Sequence, residues 1–358
     1  MNEWERHSSR SWQLNCPVSL LSTSDCVTLA HGEGGRLSRK LIQDCILNRL
    51  QPVSSLCLND AAPLPRSEHP LAMTTDSYVI TPLFFPGGDI GSLAVYGTVN
   101  DLAVSGARPL WLTLSLIIEE GLPLAVLERI LESVAQTATE TGVQIMAGDT
   151  KVVPRGAADG LFINTTGVGE LMDPVPVGPE KIEAGDELIV SGPVGQHGIA
   201  VMAVREELGV EPVPQSDSGS LFPAVENLRQ KLGARVRCLR DATRGGVAAV
   251  LHEWAAASGM TLSIEERSIP VTPEVRGISE LLGLDPLHIA NEGTMLIALE
   301  QGAGAEAVSL LQSLPGMSGA QRIGEVRERG IAAVTVRRTL GAEQPLADPL
   351  GSPLPRIC

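Results

Sequence analysis

The stretch from residue 100 to residue 118, NDLAVSGARPLWLTLSLII, contains the signals that decide the fold. A helix is predicted over Ser92–Ser105, because Gly106 follows it as a stop signal and Pro109 lies just beyond. The apolar run Leu110–Ile118 then predicts a buried strand. A helix followed at once by a strand indicates a mixed α/β architecture.

Strands and helices continue to alternate on both sides of this stretch. Upstream, Leu71–Ile80 is predicted to be a strand. Downstream, Pro123 begins a helix with one apolar face, and Gly142 ends it. Two further strands complete the first half, at Val143–Met146 and Leu161–Val168.

A second half begins after the Pro-rich connection Met172–Pro179, which predicts a domain boundary. Its predicted elements are the strands Glu187–Ser191, Thr294–Leu299, Arg322–Val326 and Ala332–Val336, the helices His197–Leu208, Phe222–Leu232 and Gly246–Ser258, and the polar loop Glu211–Ser220. We therefore predict an α/β (α+β) fold with domains at 28–171 and 172–342, an extension at 1–27 and a tail at 343–358.

Composition excludes several classes of protein. The chain has 358 residues, of which 43% are hydrophobic, so it can form a globular core. Its net charge of −15 disfavours nucleic acid and anionic membranes as partners, since both attract basic surfaces. No apolar run approaches the roughly 20 residues that span a bilayer, and the polar N-terminus is no secretory signal. The six cysteines form no C-x-x-C pair, so free thiols in a cytoplasmic protein are expected.

The C-terminal segment Glu343–Cys358 differs from the rest of the chain. It contains four prolines, which disfavour a helix and favour an extended arm. At about 3.1 Å per residue such an arm reaches on the order of 40 Å. It ends in Cys358, whose thiolate is a nucleophile. A chance terminal cysteine is the alternative interpretation.

Acidic residues recur in turn-like contexts beside apolar segments. These are Asp60, Asp76, Asp101, Asp149 and Asp241. Carboxylates that converge from separate strand ends suit Mg²⁺, which prefers oxygen ligands and bridges nucleotide phosphates. For each one alone, an ordinary turn or helix cap is the favoured interpretation, and only the five together favour a cation site.

Two glycine-rich loops, His31–Gly35 and Thr243–Gly246, each precede a predicted helix, the first being Leu37–Leu50. Glycines at a helix start let backbone N–H groups approach an anion, although a plain tight turn explains them too. Lys151 and Glu292 are polar residues in predicted turns, where a solvated side chain is the alternative.

Taken together, these segments resemble a known family. Asp101–Pro109 is similar to the D-x-x-x-x-G-A-x-P signature of the aminoimidazole-ribonucleotide synthetase superfamily, which binds ATP. Within it, the chain resembles the HypE family of hydrogenase maturation factors. The stretches that carry this resemblance are Thr75–Ile80, Pro82–Gly88, Gly148–Val153, Phe162–Thr165, Asp241–Val247 and the terminal Pro355–Cys358.

The resemblance implies a fold and a chemistry. The N-terminal sheet would pair with that of a second subunit, giving a homodimer with ATP near the interface. The carbamoyltransferase HypF would load a carbamoyl group onto Cys358, and ATP would drive its dehydration to a thiocyanate. The cyanide would then pass to a HypC–HypD iron-carrying complex and become a ligand of the [NiFe]-hydrogenase iron.

It also implies site residues. Magnesium contacts would be Asp60, Asp76, Asp101, Asp149 and Asp241; nucleotide contacts would be Gly32, Gly34, Gly35, Asn100, Asp101, Thr150 and Arg244; and the catalytic residues would be Cys358, Lys151 and Glu292. The segment before Val27 has no counterpart in the family, and Glu33 in the glycine loop has no assigned role.

Two alternatives stay open at this point. One is an enzyme of the same superfamily that phosphorylates a free small molecule, such as a selenophosphate or thiamine-phosphate type phosphotransferase, for which Cys358 would be dispensable. The other is a non-enzymatic thiol carrier or metal chaperone, which needs a second cysteine or histidine near the tail.

Overall fold

The computed structural model describes residues 26–33, 35–51, 61–349 and 357–358. Within these residues the chain forms two principal sheets, one in each half, with helices packed against them. Two residues that were predicted for the functional site, Gly34 and Asp60, lie outside the described residues.

The N-terminal half is built around a four-stranded sheet. Its helical elements are α1 (Arg36–Lys40), a π-helical segment (Leu41–Leu47), α2 (Asn48–Leu50), α3 (Ile90–Val104) and α4 (Leu124–Thr141); its strands are β1 (Leu71–Tyr78), β2 (Phe84–Phe85), β3 (Gly88–Asp89), β4 (Ala107–Glu119), β5 (Gln144–Val153) and β6 (Leu161–Leu171). The sheet order is β1-β6-β4-β5, in which only β4 and β5 run parallel, while β2 and β3 form a small hairpin.

Helix α3 is buried between the two halves of the molecule. It begins because the Asp89 carboxylate accepts hydrogen bonds from the backbone N–H groups of Gly91 and Ser92. Gly91 permits close packing on α4, since a Cβ there would lie 2.6 Å from the Ile130 carbonyl oxygen. Twelve of its fifteen residues are buried, because it contacts β1 and β6 on one side and the C-terminal half on the other.

The C-terminal half contains a seven-stranded sheet in the order β13-β12-β9-β11-β7-β10-β8. Its strands are β7 (Glu187–Val190), β8 (Val236–Asp241), β9 (Thr261–Glu265), β10 (Met295–Leu299), β11 (Gln321–Arg327), β12 (Val334–Arg337) and β13 (Glu343–Pro345), and its helices are α5 (Gln196–Arg205), α6 (Phe222–Leu232), α7 (Gly246–Ser258), α8 (Pro273–Leu282) and α9 (Gly304–Gln312). Helix α7 covers one face of the sheet, and α6 and α9 cover the other.

The N-terminal sheet has one covered face and one open face. Tyr78 and the alternate residues before it in β1 face α3, whereas the residues between them are exposed. We call the second surface the outer face: Met73 is 74% exposed there, and Leu71 and Ile117 are 47% and 41% exposed. No helix of the described residues packs on it. Large apolar side chains exposed on an uncovered sheet face are typical of a surface that binds another protein.

The predicted mixed α/β fold is confirmed. Helices α6 and α7 have the predicted bounds, and Pro123 and Gly142 cap α4 at its two ends. The strands β8 and β9 and the helices α8 and α9 were not predicted. The division at residue 172 stays a prediction; residues 172–178 form no helix or strand and connect the two sheets.

Several charged residues do not lie in the predicted turns. Asp76 is inside β1, Asp101 is in the last turn of α3, and Asp149 and Lys151 are inside β5. The β5 prediction ended at Met146 because Gly148-Asp149-Thr150 has the composition of a turn, but pairing with β4 extends the strand to Val153.

The tail is anchored to the body at both of its described ends. Glu343–Pro345 forms β13 at the edge of the second sheet, where it pairs with β12. At the far end, Ile357 is buried in a core cluster to which both halves contribute, and Cys358 packs against the same cluster. The arm is therefore docked rather than free at its terminus.

Candidate active site

A cavity of about 260 Å³ opens between the two halves. It is lined by Thr75, Asp76, Gly97, Asp101, Arg240, Asp241, Thr243, Arg244, Glu253, Glu292 and Cys358. The N-terminal half contributes β1 and α3, and the C-terminal half contributes the end of β8, the loop before α7 and the turn before β10. Six of the residues predicted for the site therefore meet in one place: Asp76, Asp101, Asp241, Arg244, Glu292 and Cys358.

The aspartates of the cavity form an acidic group with few cationic partners. Thr74 donates a 2.9 Å hydrogen bond to the Asp101 carboxylate, and Arg244 lies 3.4 Å from that of Asp76. Burial, followed by the charge of Asp101, raises the pKa of Asp241 to about 7. Burial also raises the pKa of Asp101, against the hydrogen bond from Thr74. The site therefore carries negative charge that a bound cation would stabilise.

These carboxylates could bind Mg²⁺ only together with ligands that the described residues do not supply. No group of three or more His, Cys, Asp and Glu side chains in the described part of the chain is arranged to hold a metal by itself. Mg²⁺ usually keeps several waters and takes one or two protein carboxylates together with substrate phosphates. The cavity therefore suits a magnesium ion that arrives with a nucleotide.

Glu292 is a buried carboxyl group that faces the cavity. Burial is the first cause that raises its pKa well above the usual value, and Asp241 is the second. Its Oε1 atom has no hydrogen-bond partner among the described residues. Such a group holds or releases a proton according to the charge beside it, which suits a proton-transfer role.

The turn that carries Glu292 is held from two sides. The Asp217 carboxylate accepts hydrogen bonds from the N–H groups of Glu292 (3.0 Å) and Gly293 (3.1 Å). Position 293 requires glycine, because a Cβ there would lie 1.7 Å from the Asp217 carbonyl oxygen. Asn100, predicted to contact the nucleotide, is instead buried and donates to the carbonyls of Gly219 (2.9 Å) and Glu292 (3.2 Å). It positions the turn and does not line the cavity.

Cys358 reaches the same cavity from the end of the tail. The backbone N–H of Val79 donates to its carbonyl oxygen (3.3 Å). Burial, followed by the charge of Glu292, raises the pKa of the thiol to about 12. The docked sulfur is therefore a neutral thiol at physiological pH and a weak nucleophile. Cys45 and Cys238 are also free thiols.

Lys151 does not lie near Glu292 within one chain. It pairs with Ile117 on β4, and Asp149 pairs with Ser115, so both point to the outer face of the sheet. Strand β5 is also three strands away from β1, which amounts to about 14 Å at the usual strand spacing. The predicted Lys151–Glu292 pair is therefore not formed inside a single subunit.

The remaining nucleotide candidates also gather at β5. Thr150 is on that strand, and a Cβ on Gly32 would lie 2.9 Å from the Val152 Cβ atom. Gly35 caps the start of α1, which confirms that the glycine loop precedes a helix. None of Gly32, Gly35 and Thr150 lines the cavity described above.

Sequence reasoning missed several residues that line or support the site. Arg240 and Glu253 line the cavity, Asp217 holds the Glu292 turn, and His197 contacts the tail. The one available signal was the polar loop Glu211–Ser220, which contains three serines and Asp217 but was predicted only as a connection.

Family models identify both halves of the chain. The model of the AIR synthase related protein N-terminal domain matches residues 58–171, and that of the C-terminal domain matches residues 183–337. No helix of the described residues is long and apolar enough to cross a membrane.

Individual relatives cover nearly the whole chain. Carbamoyl dehydratase HypE of Escherichia coli strain K12 is 46% identical over 337 residues, which are 93% of this chain and 99% of that protein. A crystal structure of a hydrogenase maturation protein HypE in complex with ATP is 42% identical, has a TM-score of 0.86, and covers 92% of this chain and 99% of its own. A chain of a HypE–HypF complex is 41% identical, with a TM-score of 0.75 and coverage of 88% and 100%. This chain therefore belongs to the HypE family of carbamoyl dehydratases, among the AIR synthase related proteins.

Proposed function

We propose that this protein uses ATP to dehydrate a carbamoyl group carried as an S-carboxamide on Cys358, giving an enzyme thiocyanate, ADP and phosphate. The observation that carries the proposal is the position of Cys358, which lies in one cavity with Glu292 and three aspartates. A carrier thiol, a buried carboxyl group and an acidic cation site are the three parts that this reaction needs.

The reaction is a phosphoryl transfer followed by an elimination. The carboxamide oxygen attacks the γ-phosphorus of ATP and the bond to ADP breaks, while one amide proton leaves the nitrogen. The C–O bond then breaks with phosphate as the leaving group, and loss of the second amide proton gives the nitrile. Phosphate leaves far more easily than hydroxide, which is why the dehydration needs ATP.

Glu292 would accept an amide proton. It lies beside the terminal cysteine, and its unpartnered Oε1 is free to receive a hydrogen bond from the amide of the S-carboxamide. The neighbours that raise its pKa are carboxylates, so neutralising their charge favours its ionised, proton-accepting form.

ATP and magnesium would be held at the mouth of the same cavity. Asp76, Asp101 and Asp241 would be ligands of Mg²⁺, and the exposed guanidinium of Arg244 would contact a phosphate. The ion would supply positive charge that offsets the negative charge developing during phosphoryl transfer. Support comes from the related HypE whose structure contains ATP.

The site would be completed by a second subunit. The outer face of the N-terminal sheet exposes apolar side chains and presents Asp149 and Lys151, which cannot reach the cavity of their own chain. Pairing of two outer faces would bury that surface in a homodimer. Lys151 would then act with Glu292 of the partner subunit.

The partners would be those of the maturation pathway. A relative assembles with HypF, which supports HypF as the source of the carbamoyl group. A HypC–HypD complex would accept the cyanide for the hydrogenase iron. Both steps would occur in the cytoplasm.

The intact mass of the HypF-loaded protein, measured before and after ATP, tests the proposal. We expect ATP to lower the mass of the loaded protein by one water, with the change mapped to the terminal peptide. The variant Cys358→Ala should neither gain the carbamoyl group nor change with ATP. A loaded wild-type protein that hydrolyses ATP without losing water would refute the dehydration.

A further inference from the structure

His197 lies in the first turn of α5 and is fully buried, yet it contacts the far end of the chain. Its Nε2 atom is 2.7 Å from the carbonyl oxygen of Ile357, and its Nδ1 atom is 2.8 Å from the Oγ atom of Ser216. Phe85 packs edge-on against the imidazole, with the ring centroids 5.3 Å apart. The ring is thus fixed on three sides.

The surrounding hydrogen bonds determine which nitrogen carries the proton. The Ile357 carbonyl oxygen can only accept a hydrogen bond, so Nε2 carries the hydrogen and donates it to that oxygen. Nδ1 of the neutral ring then accepts from the hydroxyl of Ser216, whose oxygen accepts the N–H of Ser218 at 3.0 Å. Burial lowers the pKa of His197, which agrees with a neutral ring.

We propose that His197 is a positioning residue: by holding the carbonyl next to Cys358, it fixes the sulfur in front of Glu292. This role rests on the function proposed above. The loop that orients His197 also holds the proton acceptor, since Ser216 contacts the imidazole and Asp217 binds the Glu292 turn. Carrier and acceptor are therefore aligned by two adjacent residues of one loop.

Two other histidines contact the tail but do not hold its end. Nε2 of His252 is 3.2 Å from the Leu346 carbonyl oxygen, and Nε2 of His288 is 3.1 Å from that of Ala347. Both contacts lie close to β13, which pairs with β12. His288 is therefore a matched control, since it also donates to a tail carbonyl but does so near β13 and far along the chain from Cys358.

Alkylation of Cys358 by iodoacetamide measures the docking without carbamoyl group or ATP. The native full-length protein is treated at pH 8, and modified cysteines are mapped by peptide mass spectrometry. We expect His197→Ala to raise the rate at Cys358 about tenfold or more, the usual effect of losing one buried hydrogen bond. His288→Ala should leave the rate unchanged. His197→Gln should restore part of the protection, since its amide can donate to the same carbonyl.

The buried thiols Cys45 and Cys238 report on the fold in the same sample. They should stay unmodified in His197→Ala. Unchanged protection of Cys358 in that variant, with these thiols still protected, would overturn the proposal. If they become reactive, Ser216→Ala decides: it should raise the Cys358 rate with both thiols protected, and failure to do so overturns the proposal as well.

Single-turnover dehydration separates this inference from the proposed function. Loading by HypF should reach the same final extent in wild type and His197→Ala, whereas the fully loaded variant should lose water more slowly by the factor seen in alkylation. Increased alkylation together with absent dehydration in the wild type would refute the function and leave the tail anchor intact. Equal dehydration rates in the two proteins would refute the positioning role alone.

Discussion

The substitution Asp217→Asn tests how the Glu292 turn is held. The carboxylate accepts two backbone hydrogen bonds, from Glu292 at 3.0 Å and from Gly293 at 3.1 Å. An asparagine keeps one acceptor oxygen and turns an NH₂ group toward the second N–H, so one bond is lost and a donor faces a donor. Hydrogen bonds to charged groups contribute roughly 1.5–3 kcal/mol each, so the turn should lose about 2 kcal/mol of local stability.

Amide hydrogen exchange of the peptide that contains residues 289–296 measures this loss directly. A change of about 2 kcal/mol corresponds to roughly 30-fold faster exchange of the two amides, because exchange follows the local opening equilibrium. Dehydration should slow by about a hundredfold, as expected when a catalytic group moves by about 1 Å.

The matched control is Asp285→Asn. The Asp285 carboxylate accepts the N–H of Leu287 at 3.0 Å in a comparable cap that lies outside the cavity lining. The variant Asp285→Asn should speed amide exchange only in the turn that contains Leu287, and it should leave the dehydration rate unchanged. If the exchange and dehydration rates of Asp217→Asn equal those of the wild type, the claim that this carboxylate positions Glu292 is refuted.

Three further predictions concern the proton acceptor, the carrier and the second subunit. Glu292→Gln should keep ATP binding and slow nitrile formation. Because burial raises the pKa of Glu292, the native wild type keeps that proton to higher pH than the unfolded chain does. The stability of the wild type should therefore fall relative to that of the variant as the pH rises above about 4.3, which denaturant unfolding at pH 5 and pH 8 measures. A variant that destabilises the protein equally at both pH values would contradict this. Cys358→Ala should keep the circular dichroism spectrum and abolish carbamoyl acceptance, and any remaining acceptance would place the carrier elsewhere. Mixing inactive Lys151→Ala and Glu292→Gln subunits should restore activity to about a quarter of the wild-type number of sites. Half of the dimers are then mixed, and each mixed dimer has one complete site out of two. No restored activity after verified subunit exchange would exclude the shared site.

The fold was predictable where glycine and proline mark the ends of elements. Helix α7 begins at Gly246 and ends before Gly259, whose φ of 72° suits glycine, so the sequence pattern and the structure agree. Strand β8 was missed because its sequence, VRCLRD, mixes charged and apolar residues without a boundary signal. Its place is set by pairing with β10, a contact that local sequence does not encode.

The candidate site was predictable only as a set of residues. Motif resemblance identified the cavity residues Asp76, Asp101 and Glu292, but not their arrangement. Whether Lys151 faces the cavity or the outer face depends on β5 being a strand, because alternate strand residues point in opposite directions. His197 and Ile357 are 160 positions apart, and no periodicity connects residues at that separation.

If Cys358 is the carrier, as proposed above, the docked tail also requires that loading and dehydration take place in different positions of the terminus. A thiol with a pKa of about 12 has almost no thiolate at neutral pH, and the thiolate is the form that attacks a carbamoyl donor. Loading therefore needs Cys358 outside the cavity, whereas dehydration needs it beside Glu292. The described anchors of the terminus are the hydrogen bonds from His197 and Val79 and the packing of Ile357. Anchors of this size favour docking by a few kcal/mol, so the terminus can leave for loading and return without unfolding the body of the protein.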